Sequence, residues 1–82
     1  MREGLLWFDN SRQRKLADKV SRAATRYQAK FGYRPTVCYL NAADLEAKVE
    51  EVNGIRLQAE ANVLRHHFLI GVDQDSAVPQ AA

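Results

Sequence analysis

The sequence is poor in the residue types that build metal centres, disulfides and membrane spans. Its 82 residues contain one cysteine, Cys38, and two histidines, His66 and His67. One cysteine excludes an intramolecular disulfide, and so few thiols and imidazoles leave no ordinary ligand set for zinc within one chain. Apolar runs such as Leu5 to Phe8 and Phe68 to Ile70 are far shorter than the roughly 18 residues of a membrane span. We therefore expect a cytoplasmic protein that needs no membrane, metal or cofactor.

Motifs of catalysis are also scarce. Ser11 has no surrounding Gly-x-Ser-x-Gly pattern, and nothing assembles a nucleophile, a base and an oxyanion site. Cys38 falls in an apolar segment and is interpreted as a small hydrophobic residue. His66 and His67 are neighbours in a predicted strand, so they point to opposite faces and cannot chelate one ion together. The four glycines are too scattered to form a phosphate-binding loop: Gly4, Gly32, Gly54 and Gly71.

Charge, in contrast, is plentiful and unevenly distributed along the chain. Nine basic and three acidic residues precede Asn41, whereas three basic and seven acidic residues lie from there to the end. The net charge is only +2, so the two halves nearly cancel. Such an asymmetry suggests a charged partner.

The basic residues concentrate in one predicted helix. Apolar residues recur at steps of three and four from Ser11 to Phe31, and Gly32 follows as a helix stop. On such a helix six basic residues fall within a sector of about 80°, at ~100° of rotation per residue. We call this set the basic ridge: Arg12, Lys15, Lys19, Arg22, Arg26 and Lys30. Three interpretations remain open: a solvated flank, a surface for nucleic-acid phosphates, and a contact with an acidic protein partner or with the acidic half of another subunit.

The remaining pattern predicts strands and one further helix. Leu5 to Phe8 and Thr36 to Leu40 are expected to be parallel strands joined by the long helix, the second of them buried and central. Asn41 is expected to cap a shorter helix that presents Leu45, Val49 and Val52 to the core and ends at Asn53 and Gly54. Two final strands, Ile55 to Ala59 and Val63 to Val72, are expected to form a loose hairpin. The predicted core face of the last strand is Leu64, His66, Phe68, Ile70 and Val72.

These elements define the expected fold. The order is β-α-β-α-β-β, and the class is α+β: a small mixed four-stranded sheet with two helices. Residues 1–72 would form a single α+β domain. Residues 73–82, which lack apolar periodicity, would form a flexible C-terminal tail.

The first strand suggests self-association. It is apolar at four consecutive positions, which is typical of a strand that is covered on both faces. Two helices, one of them only about three turns long, are not expected to cover both faces of a four-stranded sheet. We therefore predict a homodimer that buries part of the sheet or an apolar helix flank, with Trp7, Tyr39 and Leu69 as contacts. The alternative is a complete monomer in which the two helices lie on opposite faces.

Asp9 is the remaining candidate for chemistry. It ends the first strand where a helix is predicted to start, and many α/β proteins bind anions or metals at that place. Asp9 or Asn10 as a simple helix cap is the competing interpretation. We expect a non-enzymatic cytoplasmic module for interaction or assembly that self-associates. One alternative is a nucleic-acid-binding accessory protein that uses the basic ridge, and a second is a metal- or phosphate-dependent enzyme centred on Asp9.

Overall fold

The computed structural model describes residues 4–46 and 48–73, which form one sheet and one α-helix. The α+β class and the mixed sheet are confirmed, but the sheet has five strands instead of four, and one α-helix replaces the predicted two. The strand order across the sheet is β1-β5-β2-β4-β3. In chain order the elements are β1 (Gly4–Phe8), α1 (Leu16–Phe31), β2 (Val37–Leu40), a 3₁₀ helix (Ala42–Asp44), β3 (Glu51–Val52), β4 (Ile55–Ala59) and β5 (His67–Gly71).

The helix α1 starts five residues later than predicted, at Leu16 instead of Ser11. Before it, Asp9 Oδ1 accepts a hydrogen bond from the Ser11 backbone at 2.9 Å, and Ser11 Oγ accepts one from the Gln13 backbone at 3.3 Å. Side chains that accept hydrogen bonds from nearby backbone amides compete with the hydrogen bonds of a helix, so the helix does not extend through these residues. The predicted end is confirmed, because Gly32 closes α1 with a φ of 85°, a left-handed conformation that suits glycine.

The prediction of a second α-helix is wrong. Asn41 Oδ1 does accept a hydrogen bond from the Ala43 backbone at 2.9 Å, but the helix it caps is a single 3₁₀ turn. Asn53 and Gly54, expected to end a helix, have φ values of 51° and 84° and connect β3 to β4. Positive φ at both central residues is the mark of a type I′ hairpin turn, which favours the Asn-Gly pair.

The order of the strands also differs from the predicted order. β1 and β2 run in the same direction, as expected, but β5 lies between them and is antiparallel to both. The predicted hairpin of the last two strands is wrong, because β2 lies between β4 and β5. The chain after β4 crosses the end of β2, where the Glu60 backbone donates to the Leu40 carbonyl at 2.8 Å. The Asn41 side chain holds the same crossing by donating to the Val63 carbonyl at 3.0 Å.

The core lies between α1 and one face of the sheet. Phe68 and Ile70 point into it, as predicted, and β2 is central and buried. Leu64 and His66 do not belong to this core face: both precede β5, and Leu64 is 70% exposed. The buried cluster consists of Leu16, Val20, Ala23, Tyr27, Cys38, Leu40, Val52, Ile55, Leu57, Phe68 and Ile70.

The predicted C-terminal tail begins with a residue that is anchored to the sheet. The Asp73 backbone donates to Thr36 Oγ1 at 2.9 Å, and the Asp73 carboxylate forms an ion pair with Arg56. Residues 74–82 of the predicted tail lie outside the described residues.

Candidate interaction surfaces

One face of the sheet is covered by α1, and the opposite face carries a row of apolar side chains. Leu6 lies opposite Leu69, and Leu69 lies opposite Tyr39, so the three share one face across β1, β5 and β2. Phe8 and His67 form the neighbouring row, with ring centroids 5.0 Å apart. We call these five residues the open face.

Two residues of the open face are more than half exposed. Leu6 is 60% and Phe8 54% accessible to solvent, whereas Tyr39, His67 and Leu69 are half-buried. Among residues 4–46 and 48–73, therefore, only one face of β1 is covered. The expectation that both faces of this strand are covered is not met by these residues.

A shallow groove of about 240 Å³ continues the open face toward β4. Tyr39 and Leu69 form one side of this groove, and Gln58 of β4 and the connection between β4 and β5 form the rest. Its lining residues are Tyr39, Gln58, Glu60, Asn62, Val63 and Leu69.

The three predicted self-association residues are divided between the two faces. Tyr39 and Leu69 lie on the open face, but Trp7 lies opposite Phe68 on the covered face and packs against the core. Leu6 and Phe8 were not predicted as contacts, although the period of two places them on the face opposite to Trp7. That alternation was the signal that would have found them.

The structure divides the basic ridge as well. Lys19, Arg22, Arg26 and Lys30 lie on α1, whereas Arg12 and Lys15 precede its first residue and do not share its geometry. The Lys30 ammonium lies 5.4 Å from the centre of the Phe31 ring. Four of the six predicted residues therefore form one continuous helical surface.

The carboxylate of Asp9 is engaged by residues of the loop that follows β1. It is 6% exposed, its backbone donates to the His66 carbonyl at 3.0 Å, and its two carboxylate oxygens each lie 3.4 Å from Arg14 Nη1. Because α1 begins at Leu16, neither Asp9 nor Asn10 caps it, and the interpretation of these residues as helix caps is wrong. Asp9 instead fixes the turn that follows β1. No group of three or more potential ligands able to hold a metal ion occurs in residues 4–46 and 48–73.

A second carboxylate, that of the half-buried Asp44, holds the loop before β5 in place. Its oxygens accept hydrogen bonds from Arg65 Nε at 2.8 Å and from the His66 backbone at 2.6 Å. Burial alone would raise the pKa of Asp44, but the His66 amide and the Arg65 side chain outweigh burial and hold this pKa below its usual value. His66 itself has a φ of 67°, a rare conformation for a residue with a side chain. The sequence pattern predicts a short helix that includes Asp44 and gives no sign of these contacts, because Arg65 and His66 lie more than 20 residues away in the chain.

Cys38 lies in β2 with no exposed surface. Burial raises the pKa of its thiol to about 12. Since the thiolate is the reactive form, Cys38 is not placed to act as a nucleophile.

None of the helices in the described part of the chain is long and apolar enough to cross a membrane. Comparison of the chain with protein-family models, with curated proteins and with solved structures finds no match in any of the three. A functional proposal for this protein therefore rests on its own residues and their geometry.

Proposed function

We propose that this protein is a non-enzymatic interaction module that self-associates by packing the open faces of two copies against each other. The observation that carries the proposal is the apolar row Leu6, Leu69 and Tyr39, which borders Phe8 at 54% exposure. A contiguous apolar patch on the surface of a small domain is typical of an interaction site. An antiparallel sheet usually leaves a polar face toward water, and this face is apolar across three strands.

The distribution of charge favours a second copy as the occupant. None of the five residues of the open face is a lysine, an arginine or a carboxylate, and Arg56 of β4, on the same side of the sheet, is paired with Asp73. The basic residues of α1 lie on the other side of the sheet. Sheets pack about 10 Å apart, and each helix lies a further layer out, so face-to-face packing separates the two basic helices by roughly 30 Å. That separation exceeds the ~10 Å Debye length at 0.1 M salt, so the repulsion between the helices is screened.

The symmetry of such a contact is straightforward. A two-fold axis through the open face makes the same patch serve both subunits, as in most homodimers. Three strands of about five residues cover roughly 15 by 16 Å, which is small beside the ~800 Å² that each partner buries in a standard interface. We therefore expect a concentration-dependent dimer that is weaker than the micromolar to picomolar complexes formed by interfaces of standard size.

Sedimentation equilibrium over a wide range of concentrations tests the proposal. Wild-type protein is expected to shift from the 9.3 kDa monomer toward twice that mass as concentration rises. Leu6→Lys and Leu69→Lys are expected to remain monomeric, because each would bury an unpaired charge in the interface. Leu69 lies in an interior strand, so its variant distinguishes face packing from pairing of the exposed edge of β1.

Leu64→Lys is the matched control. Leu64 is 70% exposed but lies outside the open face, so its variant is expected to dimerise like the wild type. Circular dichroism verifies that all three variants fold. A wild type that stays monomeric at millimolar concentration would refute the proposal, and so would a Leu64→Lys variant that dissociates as readily as Leu6→Lys.

A further inference from the structure

A second surface, separate from the open face, lies along α1 beside β1. It is an open groove of about 580 Å³. Its walls combine one indole, three guanidinium groups and two hydroxyls, with a single carboxylate, Asp18, at one side. The residues that supply the first three kinds of group are Trp7, Arg14, Arg22, Arg26, Ser21 and Thr25.

The guanidinium groups give this groove an excess of positive charge. Arg14 is partly neutralised by Asp9 at 3.4 Å. In residues 4–46 and 48–73, neither Arg22 nor Arg26 forms an ion pair, and both are exposed. Guanidinium groups without a carboxylate partner, accompanied by hydroxyl donors, are suited to bind phosphate oxygens.

The indole adds a feature that simple phosphate binding does not need. Trp7 is half-buried at the wall of the groove, and its Nε1 is buried without a hydrogen-bond partner. It is also the one tryptophan of the chain. An aromatic side chain within a basic groove is the usual platform on which an unstacked base lies.

The positive surface is longer than one phosphate requires. Arg22 and Arg26 are one turn apart, ~6 Å along the helix axis, and Lys19 and Lys30 extend the basic side of α1 to roughly 16 Å. A surface of this length can contact successive phosphates of a chain. A duplex does not suit it, because the bases of a duplex remain stacked and cannot reach an indole within a groove.

We propose that this groove binds single-stranded nucleic acid, with Arg22 and Arg26 on successive phosphates and a base against Trp7. This activity is independent of the proposed self-association, since the groove and the open face lie on opposite sides of the sheet. Affinity is expected to fall steeply with salt and to depend little on base sequence.

Titration of the protein with an oligothymidylate, followed by the emission of Trp7, tests the proposal directly. Binding is expected to change this emission at low salt, and a labelled oligonucleotide gives the affinity by fluorescence anisotropy. Replacing Arg22 and Arg26 by Gln is expected to weaken binding at least tenfold and to lower the salt dependence by roughly 0.7 in slope for each phosphate that the variant no longer neutralises. Trp7→Leu is expected to weaken binding about tenfold, whereas Trp7→Phe is expected to retain most of the affinity.

Two control variants separate this result from general effects. Lys48→Gln removes one exposed positive charge outside the groove, and Arg26→Gln removes one within it. The two variants have the same net charge, and Lys48→Gln is expected to bind the oligonucleotide more tightly. Leu6→Lys, the variant designed to abolish self-association, is expected to bind with unchanged or slightly higher affinity. Loss of binding in that variant would contradict the independence of the two surfaces.

Three other ligands supply the outcomes that would overturn the proposal. Equal affinity for a duplex of the same length would contradict recognition of a single strand. Equal affinity for a polyphosphate without bases would show that Trp7 does not contribute to binding and that charge alone accounts for it. Equal affinity for a thymidine mononucleotide would show a site for one nucleotide instead of a strand.

Discussion

The two faces of the sheet come from alternating residues of the same strands, yet only one of them is closed. Neighbours in sequence illustrate the difference: Phe68 is 1% exposed beneath α1, whereas Leu69 is half-buried on the open face. Both are apolar, so composition does not distinguish them. The difference arises because α1, the one α-helix within residues 4–46 and 48–73, covers only one face of the sheet.

The comparison indicates that apolar residues of the covered face stabilise the fold, whereas those of the open face are available to bind another surface. On the covered face their burial is complete within one chain and contributes to folding. On the open face much of the same free energy remains unused until another surface covers it. The following predictions test that division.

The largest expected effect is on folding stability. Phe68→Ala is expected to lower the free energy of unfolding by about 3 to 5 kcal/mol, because it leaves a cavity beneath α1. Leu69→Ala, one residue further along β5, is expected to lower it by about 1 kcal/mol or less. Urea unfolding at a concentration that keeps the protein monomeric measures both values, since dimerisation would itself stabilise the folded state. Equal losses of unfolding free energy in the two variants would show that the two faces contribute equally to stability.

Thiol labelling compares the covered face and the open face at two adjacent positions of β2. The thiol of Cys38 is fully buried and has a pKa of about 12, so its labelling at neutral pH requires the protein to open. A cysteine at the next position, Tyr39→Cys in a Cys38→Ala background, faces the open side. We expect it to react at least ~100-fold faster than Cys38 in dilute folded protein.

The control for this labelling experiment is the unfolded chain, in which the two thiols are expected to react at similar rates. Protection of the thiol at position 39 as the protein concentration rises would further support packing of the open faces. Rapid labelling of Cys38 in the folded protein would contradict a closed core beneath α1.

The smallest expected effect concerns a polar atom inside the covered face. Tyr27 has no exposed surface, and its hydroxyl is buried without a hydrogen-bond partner. Tyr27→Phe removes this unsatisfied group and keeps the ring, so stability is expected to stay the same or rise by about 1 kcal/mol. Tyr39→Phe on the open face serves as the control and is expected to change little. A clear loss of stability for Tyr27→Phe would show that the hydroxyl is satisfied in solution.

Local patterns predicted those elements that depend on neighbours in sequence. The apolar stripe of α1 and the glycine that ends it are both local features, and both are confirmed. The start of α1 was predicted too early, because Asp9 and Ser11 bind backbone amides nearby and compete with the helix. Asn53 and Gly54 were interpreted as a helix stop, although the same pair is a strong signal for a hairpin turn.

The candidate surfaces were predicted only in part. Tyr39 and Leu69 were selected from their apolar character, and they share the open face because β5 pairs with β2. The groove along α1 was not foreseen, since it needs Trp7 of β1 beside Arg22 and Arg26 of the helix. The contacts of Asp44 with Arg65 and His66 were missed for the same reason, because these partners are distant in the chain.

Local sequence patterns are sufficient to predict the α+β class, the C-terminal end of α1 and the concentration of positive charge along that helix. These properties follow from the spacing of residues a few positions apart, which the chain carries before it folds. The position of β5 between β1 and β2 is evident only in the folded protein, and it is what brings Leu6, Tyr39 and Leu69 into one apolar row. Strand order depends on pairing between distant segments, and the covered face depends on where α1 packs, and no local spacing encodes either of them.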